Sequence, residues 1–166
     1  MTGFLSTAGG QELLRRLAPL WRALPTWLQW GLMWLGTAKF SLGVTGIVFD
    51  GEGRVMLLRH TFRRRFPWGL VSGWVKRGEA LEDALRREVA EETALTVRVG
   101  PLFQVRRDRL RLAVEAVYLC RLEGGAFRPS NEVTEIQWRR PDDLPGGLHP
   151  DHFPLIREAA RRMAPS

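Results

Sequence analysis

At 166 residues, 45% hydrophobic and 26% charged, the chain is sized for one ordinary globular domain with a short surplus. Its net charge of +7 favours an anionic partner, whether nucleotide, nucleic acid or acidic membrane surface, and says nothing about fold. The single cysteine, Cys120, excludes an internal disulfide and suits a reducing, cytoplasmic setting as an inert buried thiol.

From the start, residues 1–10 are small and polar and read as a frayed end. Residues 11–35 are apolar and helix-like, with Leu13, Leu14, Leu17, Leu20, Trp21 and Leu24 before a break at Pro25. Trp27, Leu28, Trp30, Met33 and Trp34 continue the segment to Gly36. The uncharged run 23–38 is shorter than the roughly 20 residues that cross a bilayer, and it lacks a signal-peptide cleavage pattern. Two readings stand for it. The tryptophans pack on the domain or on a second copy, or residues 11–36 lie on a membrane with Arg15, Arg16, Arg22 and Lys39 meeting acidic lipid. Either way, residues 1–38 form a Trp-rich helical N-terminal extension ahead of a domain at 39–166.

Two strands follow, 41–49 and 54–59, joined by the turn 50–53. The loop 60–68 then carries Arg63, Arg64 and Arg65, whose planar forks match phosphate oxygens, and the rings of Phe62, Phe66 and Trp68, which can stack on a base. The alternative is a solvated arginine loop with Trp68 packed beneath. Leu81, Leu85 and Val89 lay an apolar stripe along the next helix, and Glu82 and Asp83 suit its first turn. Its last turn breaks that rule. Glu88, Glu91 and Glu92 crowd one face at the negative end of the dipole, each at a cost of a few tenths of a kcal/mol up to roughly one. A divalent cation would reverse that sign, whereas a plainly solvated acidic end would lean on Arg86 and Arg87 for neutralisation.

Residues 95–105 read as a strand bent at Gly100–Pro101. Residues 110–122 alternate, placing Leu112, Val114, Ala116, Tyr118 and Cys120 on one face. Glu115 interrupts the opposite face, so it is paired, functional or at the sheet's end. After a turn at 123–125 come a strand at 133–139, a short helical turn at 141–144 and a final helix at 151–163 with Leu155, Ile156 and Ala159 inward. His149 and His152 read as surface or capping residues, and His60 has no partner at ligand spacing. One long helix among the strands and another at the end imply an α+β domain, an α/β/α sandwich around a mixed sheet.

The spacing from 73 to 95 resembles the Nudix box: Gly, five residues, Glu, seven residues, Arg-Glu, aliphatic, any, Glu-Glu, any, Gly, aliphatic. Gly73, Glu79, Arg87, Glu88, Val89, Glu91, Glu92 and Leu95 stand at their places. Ala94 replaces the family glycine, and Val71 and Ser72 stand where a Pro-Gly pair is usual. The resemblance implies the Nudix fold and a Mg2+-dependent hydrolase, with Mn2+ as a second option, that splits a diphosphate bond in a nucleoside diphosphate linked to X. Glu91 and Glu92 would bind metal, Glu88 would be a third ligand or the base, and Glu79 would complete the shell. Ser72 would lend a backbone carbonyl beside Gly73, and Arg87 would hold a neighbouring glutamate. One more glutamate is expected from a later segment, Glu132 ahead of Glu135 and Glu115. The alternatives are a nucleotide-binding sensor without hydrolysis and a membrane-associated interaction protein; no second, DNA-binding domain is visible.

Overall fold

The computed structural model describes residues 15, 18–108 and 113–163. Contacts divide the chain into two units, Met1–Lys39 and Phe40–Ser166. Leu13, Leu14, Arg16 and Leu17 of the expected apolar stretch lie outside the described residues, as do residues 1–10.

In the first unit, residues 18–23 are helical and Pro25 separates them from α1 (Thr26–Gly36). Proline cannot donate a backbone hydrogen bond, so the preceding helix ends with open carbonyls. Gln29 closes them: its Nε2 donates to the carbonyls of Trp21 at 3.0 Å and Leu24 at 2.9 Å. At the far end the Thr37 amide donates to Met33, the Thr37 hydroxyl to Trp34 and Lys39 Nζ to Leu35. No residue of α1 is buried.

The second unit is built on a seven-stranded mixed sheet. Its strands are β1 (Ser41–Phe49), β2 (Val55–His60), β3 (Trp68–Gly69), β4 (Val71–Trp74), β5 (Leu95–Asp108), β6 (Ala113–Gly125) and β7 (Val133–Arg139). The main order is β3-β2-β1-β6-β5, with β4 pairing β1 and β7 pairing β2. All neighbours run antiparallel except β1 and β6, which are parallel from Ser41↔Ala113 to Phe49↔Arg121. Such a pair needs a long crossover, and the chain supplies it with α2 (Leu81–Thr93) and β5.

Period-two side-chain alternation assigns the two faces. Val44, Val48, Met56, Leu58, Ala116 and Tyr118 point to the side covered by Ala84, Leu85 and Val89 of α2. Ile47, Phe49, Val55, Leu57, Val117 and Leu119 point to the other, covered by Leu155, Ile156 and Ala159 of α3 (His152–Met163). Burial on both faces explains why these strands read as unbroken apolar runs. The result is the expected α/β/α sandwich. Cys120 is buried in the first of these layers, and burial pushes its thiol up to about 12, which keeps it inert at neutral pH.

Some local expectations are corrected. Residues 141–144 form turns rather than a helical turn, and β5 runs on to Asp108. Its register shifts between Val99 and Leu102, across Gly100–Pro101, where proline removes a ladder donor. Residues 110–112 of the expected sixth strand lie outside the described residues. His152 is buried, not at the surface, and accepts the Leu70 amide on Nδ1 at 3.3 Å.

Ala94 caps α2 in the left-handed region, at φ 59° and ψ 18°, with its amide on the Ala90 carbonyl. A Cβ is strained there. Ala94→Gly is therefore expected to stabilise the fold by about 0.5–1 kcal/mol, read as a higher urea midpoint at unchanged slope.

Candidate functional site

β1, β4 and the exposed side of α2 enclose a cavity of about 720 Å³. β4 lies antiparallel on β1, with Ser72 opposite Thr45 and Gly73 opposite Val44, and this fixes the loop that leads to Glu79 and α2. Glycine at 73 leaves room for the Glu88 carboxyl group, which a Cβ there would displace. Residue 73 thereby sets where Glu88 can stand.

Arg87 organises the acids. It takes Glu79 in a two-pronged pair, Nε to Oε1 at 2.8 Å and Nη2 to Oε2 at 3.0 Å. Its Nη1 reaches Glu88 at 2.8 Å and Glu91 at 3.2 Å, and Nη2 also donates to the Trp74 carbonyl at 3.0 Å. The Arg87 fork, together with the Lys76 amide, holds the Glu79 carboxyl down at about 2, while the same pairs raise Arg87 above its ordinary range. Glu79 is thus spent on anchoring Arg87 in the structure as it stands.

Glu92 sits differently. It is 6% exposed, and its Oε2 is buried without a hydrogen-bond partner. Burial pushes its carboxyl up to about 8; Glu88, Glu132 and Glu91 add to the rise and Arg63 partly offsets it. A buried carboxylate oxygen with nothing to accept from is expensive unless a cation meets it. Among the described residues no three acid, histidine or cysteine groups stand in an arrangement that holds a metal ion outright. Arg87 Nη1 instead pairs with both Glu88 and Glu91. The donor set nevertheless fits a hard divalent cation: Glu88, Glu91, Glu92 and Glu132 all line the cavity with oxygen ligands.

Glu132 arrives by strand pairing, since its carbonyl accepts the Thr61 amide at 2.8 Å just before β7 joins β2. Glu135 instead pairs with Arg59 at 3.4 Å across the β2–β7 pair and lies outside the cavity lining. Glu115 lines the cavity, but Arg106 and the Thr45 hydroxyl engage it, so it is paired.

The basic loop divides. Arg63 and Phe62 line the cavity with Ser72 and Gly73, whereas Arg64 and Arg65 are exposed and outside the lining. Trp68 is packed against the second core layer, with its amide on Gly147 and its carbonyl taking the His149 amide. That placement leaves Phe62 as the loop ring at the cavity. Sequence reasoning misses Trp74, Lys76 and Gly43, which also line it. Trp74 and Lys76 lie inside the recognised spacing, where only the fixed positions draw notice, and Gly43 comes by strand pairing opposite Trp74. His60, also in the lining, is buried with Nε2 unpartnered; burial lowers it to about 4, so it is neutral at physiological pH.

The fold and the carboxylate cavity define a class already suggested by the spacing. The NUDIX domain family model matches residues 39–159, and the chain belongs to that family, the Nudix hydrolases. It is 34% identical over 104 residues to a MutT-like protein of Streptomyces ambofaciens, covering 63% of this chain and 66% of that one. It is 27% identical over 129 residues to the ADP-ribose pyrophosphatase of Methanocaldococcus jannaschii, covering 73% of each. The match to the NAD-capped RNA hydrolase NudC of Vibrio parahaemolyticus is 26% over 95 residues and spans 36% of that protein's length. Among solved structures, an ADP-ribose pyrophosphatase from Streptococcus suis superposes with a TM-score of 0.61 at 25% identity, over 74% of this chain and 93% of that one.

Proposed function

We propose that the chain is a divalent-metal-dependent hydrolase, using Mg2+ or Mn2+, that splits the diphosphate bond of a nucleoside diphosphate joined to a second group X. The observation that carries this reading is the buried, partnerless Glu92 oxygen among Glu88, Glu91 and Glu132 in one cavity. Glu91, Glu92 and Glu132 would hold the cation, with the Ser72 backbone beside them. When bound, the ion supplies positive charge to phosphoryl oxygens and acidifies water.

The remaining work falls to the chain. Glu88, released from Arg87, is placed to receive the proton of the attacking water as its oxygen bonds to phosphorus and the bridging P–O bond breaks. Arg63 and Lys76 offer positive charge to the phosphoryl oxygens at the cavity wall. Phe62, 79% exposed, and Trp74, 48% exposed, offer flat faces for a base. Glu79 keeps Arg87 in place throughout. The ADP-ribose and NAD-capped chemistry named for its relatives makes adenine nucleotides the first substrates to try.

The test is a panel of ADP-ribose, NAD, UDP-sugars and nucleoside triphosphates with Mg2+ or Mn2+. Phosphate is scored after phosphatase treatment. Turnover of at least one diphosphate, abolished by EDTA and restored by Mg2+, is expected. Nucleotide binding without turnover across the panel would instead favour a sensor.

A further inference from the structure

Four of the seven tryptophans lie in the first unit, outside the matched family region. Trp27, Trp30 and Trp34 are 73%, 66% and 68% exposed, Leu35 is 72% exposed and Met33 is 50% exposed. A helix apolar on every side belongs in a core or in lipid rather than in water. The polar groups of the segment argue the same way. Gln29, the one amide side chain between residues 23 and 38, is committed to the two carbonyls left open at Pro25. The carbonyls of Met33, Trp34 and Leu35 are closed by Thr37 and Lys39. Water would satisfy these groups unaided; internal closure matters where water is scarce.

Charge selects the occupant. Residues 23–38 carry none, and they are flanked by Arg15, Arg16 and Arg22 before and Lys39 after, against the single acid Glu12. Lys39 Nζ lies 4.2 Å over the Trp34 ring, an ammonium beside an aromatic of the kind found at membrane–water boundaries. A second copy would bring like charges together, whereas an anionic bilayer would neutralise them. Among the described residues no helix is long and apolar enough to cross a membrane.

We infer that residues 18–39 form an interfacial anchor that lays the tryptophans of α1 into the headgroup region of an anionic bilayer. The anchor does not depend on the hydrolase reading, and either can fail alone. The full chain is mixed with vesicles of phosphatidylcholine alone, or of phosphatidylcholine and phosphatidylglycerol in equal parts, and floated through a density gradient. Affinity for the anionic vesicles is expected to exceed that for the neutral ones by about tenfold or more and to fall in high salt. Tryptophan fluorescence should be quenched by lipids brominated near the headgroup.

The triple variant Trp27→Ser, Trp30→Ser, Trp34→Ser should lose about tenfold or more in binding while keeping the wild-type far-ultraviolet circular dichroism of the sheet. Should that variant misfold, the exposed pair Arg22→Glu and Lys39→Glu decides, with an expected loss confined to anionic vesicles. Failure of the wild type to float with either vesicle would overturn the proposal. So would equal binding to both, or a lipid-free dimer that the tryptophan variant dissociates.

Discussion

Glu92→Gln is expected to melt higher than the wild type in metal-free buffer at pH 8 while losing about a thousandfold in metal-dependent kcat/KM. The wild-type carboxyl is buried with one oxygen unpartnered, and its folded pKa stands at about 8 against 4.5 in the open chain. Between those values the unfolded chain has already released its proton and the folded chain has not. Stability therefore falls as pH rises through that window, and glutamine, which does not titrate, escapes the loss. The difference between variant and wild type should be near zero at pH 4.5 and grow to on the order of 2–4 kcal/mol above pH 8. For a chain of this size that corresponds to roughly 5–10 °C in Tm. Saturating Mg2+ should raise the wild-type Tm and leave the variant's unmoved. A variant that gains no stability at high pH would show that Glu92 is not held against its charge. One that keeps full turnover would remove it from the metal site.

Gly73→Ala should cost about a hundredfold in kcat/KM with at most about 1 kcal/mol of stability. The added methyl group occupies the space of the Glu88 carboxyl, and a flexible carboxylate yields more readily than the strand. Glu88 then leaves Arg87 and the cavity, while the β1–β4 pairing stays. Gly43→Ala is the matched control, since it lines the same cavity but its Cβ meets the Gly73 carbonyl at 3.5 Å and the Trp74 ring at 3.7 Å, ordinary contact distances. Its kcat/KM should stay within a few-fold of wild type. Equal losses at both positions would mean that cavity volume, not the placement of Glu88, sets the rate.

Much of the fold was legible because the relevant signals are local. Apolar runs bounded by turns mark the first strands, alternation marks β6, a four-residue apolar stripe marks α2, and the fixed spacing from Gly73 to Leu95 marks its acids. The spacing brings Glu88 and Glu91 within reach of Arg87, but the two-pronged pair with Glu79 depends on how the loop ahead of α2 folds back on it. Trp68 and Trp74 show the limit more sharply. They are six residues apart on adjacent short strands, yet one is packed beneath the loop and the other lines the cavity. Glu132 and Glu135 are likewise separated only by the way β7 meets β2, a non-local fact. His152 misleads for the same reason: its buried ring meets the Leu70 amide, a partner 82 residues away along the chain.

The parallel seam between β1 and β6 has a kinetic consequence. Its partners, from Ser41↔Ala113 onward, are 72 residues apart along the chain, so the seam forms only after a long loop has closed. It joins β5 and β6 on one side to β2, β3 and β7 on the other, and until it zips shut the two halves of the sheet expose apolar edges to one another. The amides along this seam should therefore be the last to become protected during refolding and, in the native state, should exchange with deuterium only when the whole sheet comes apart.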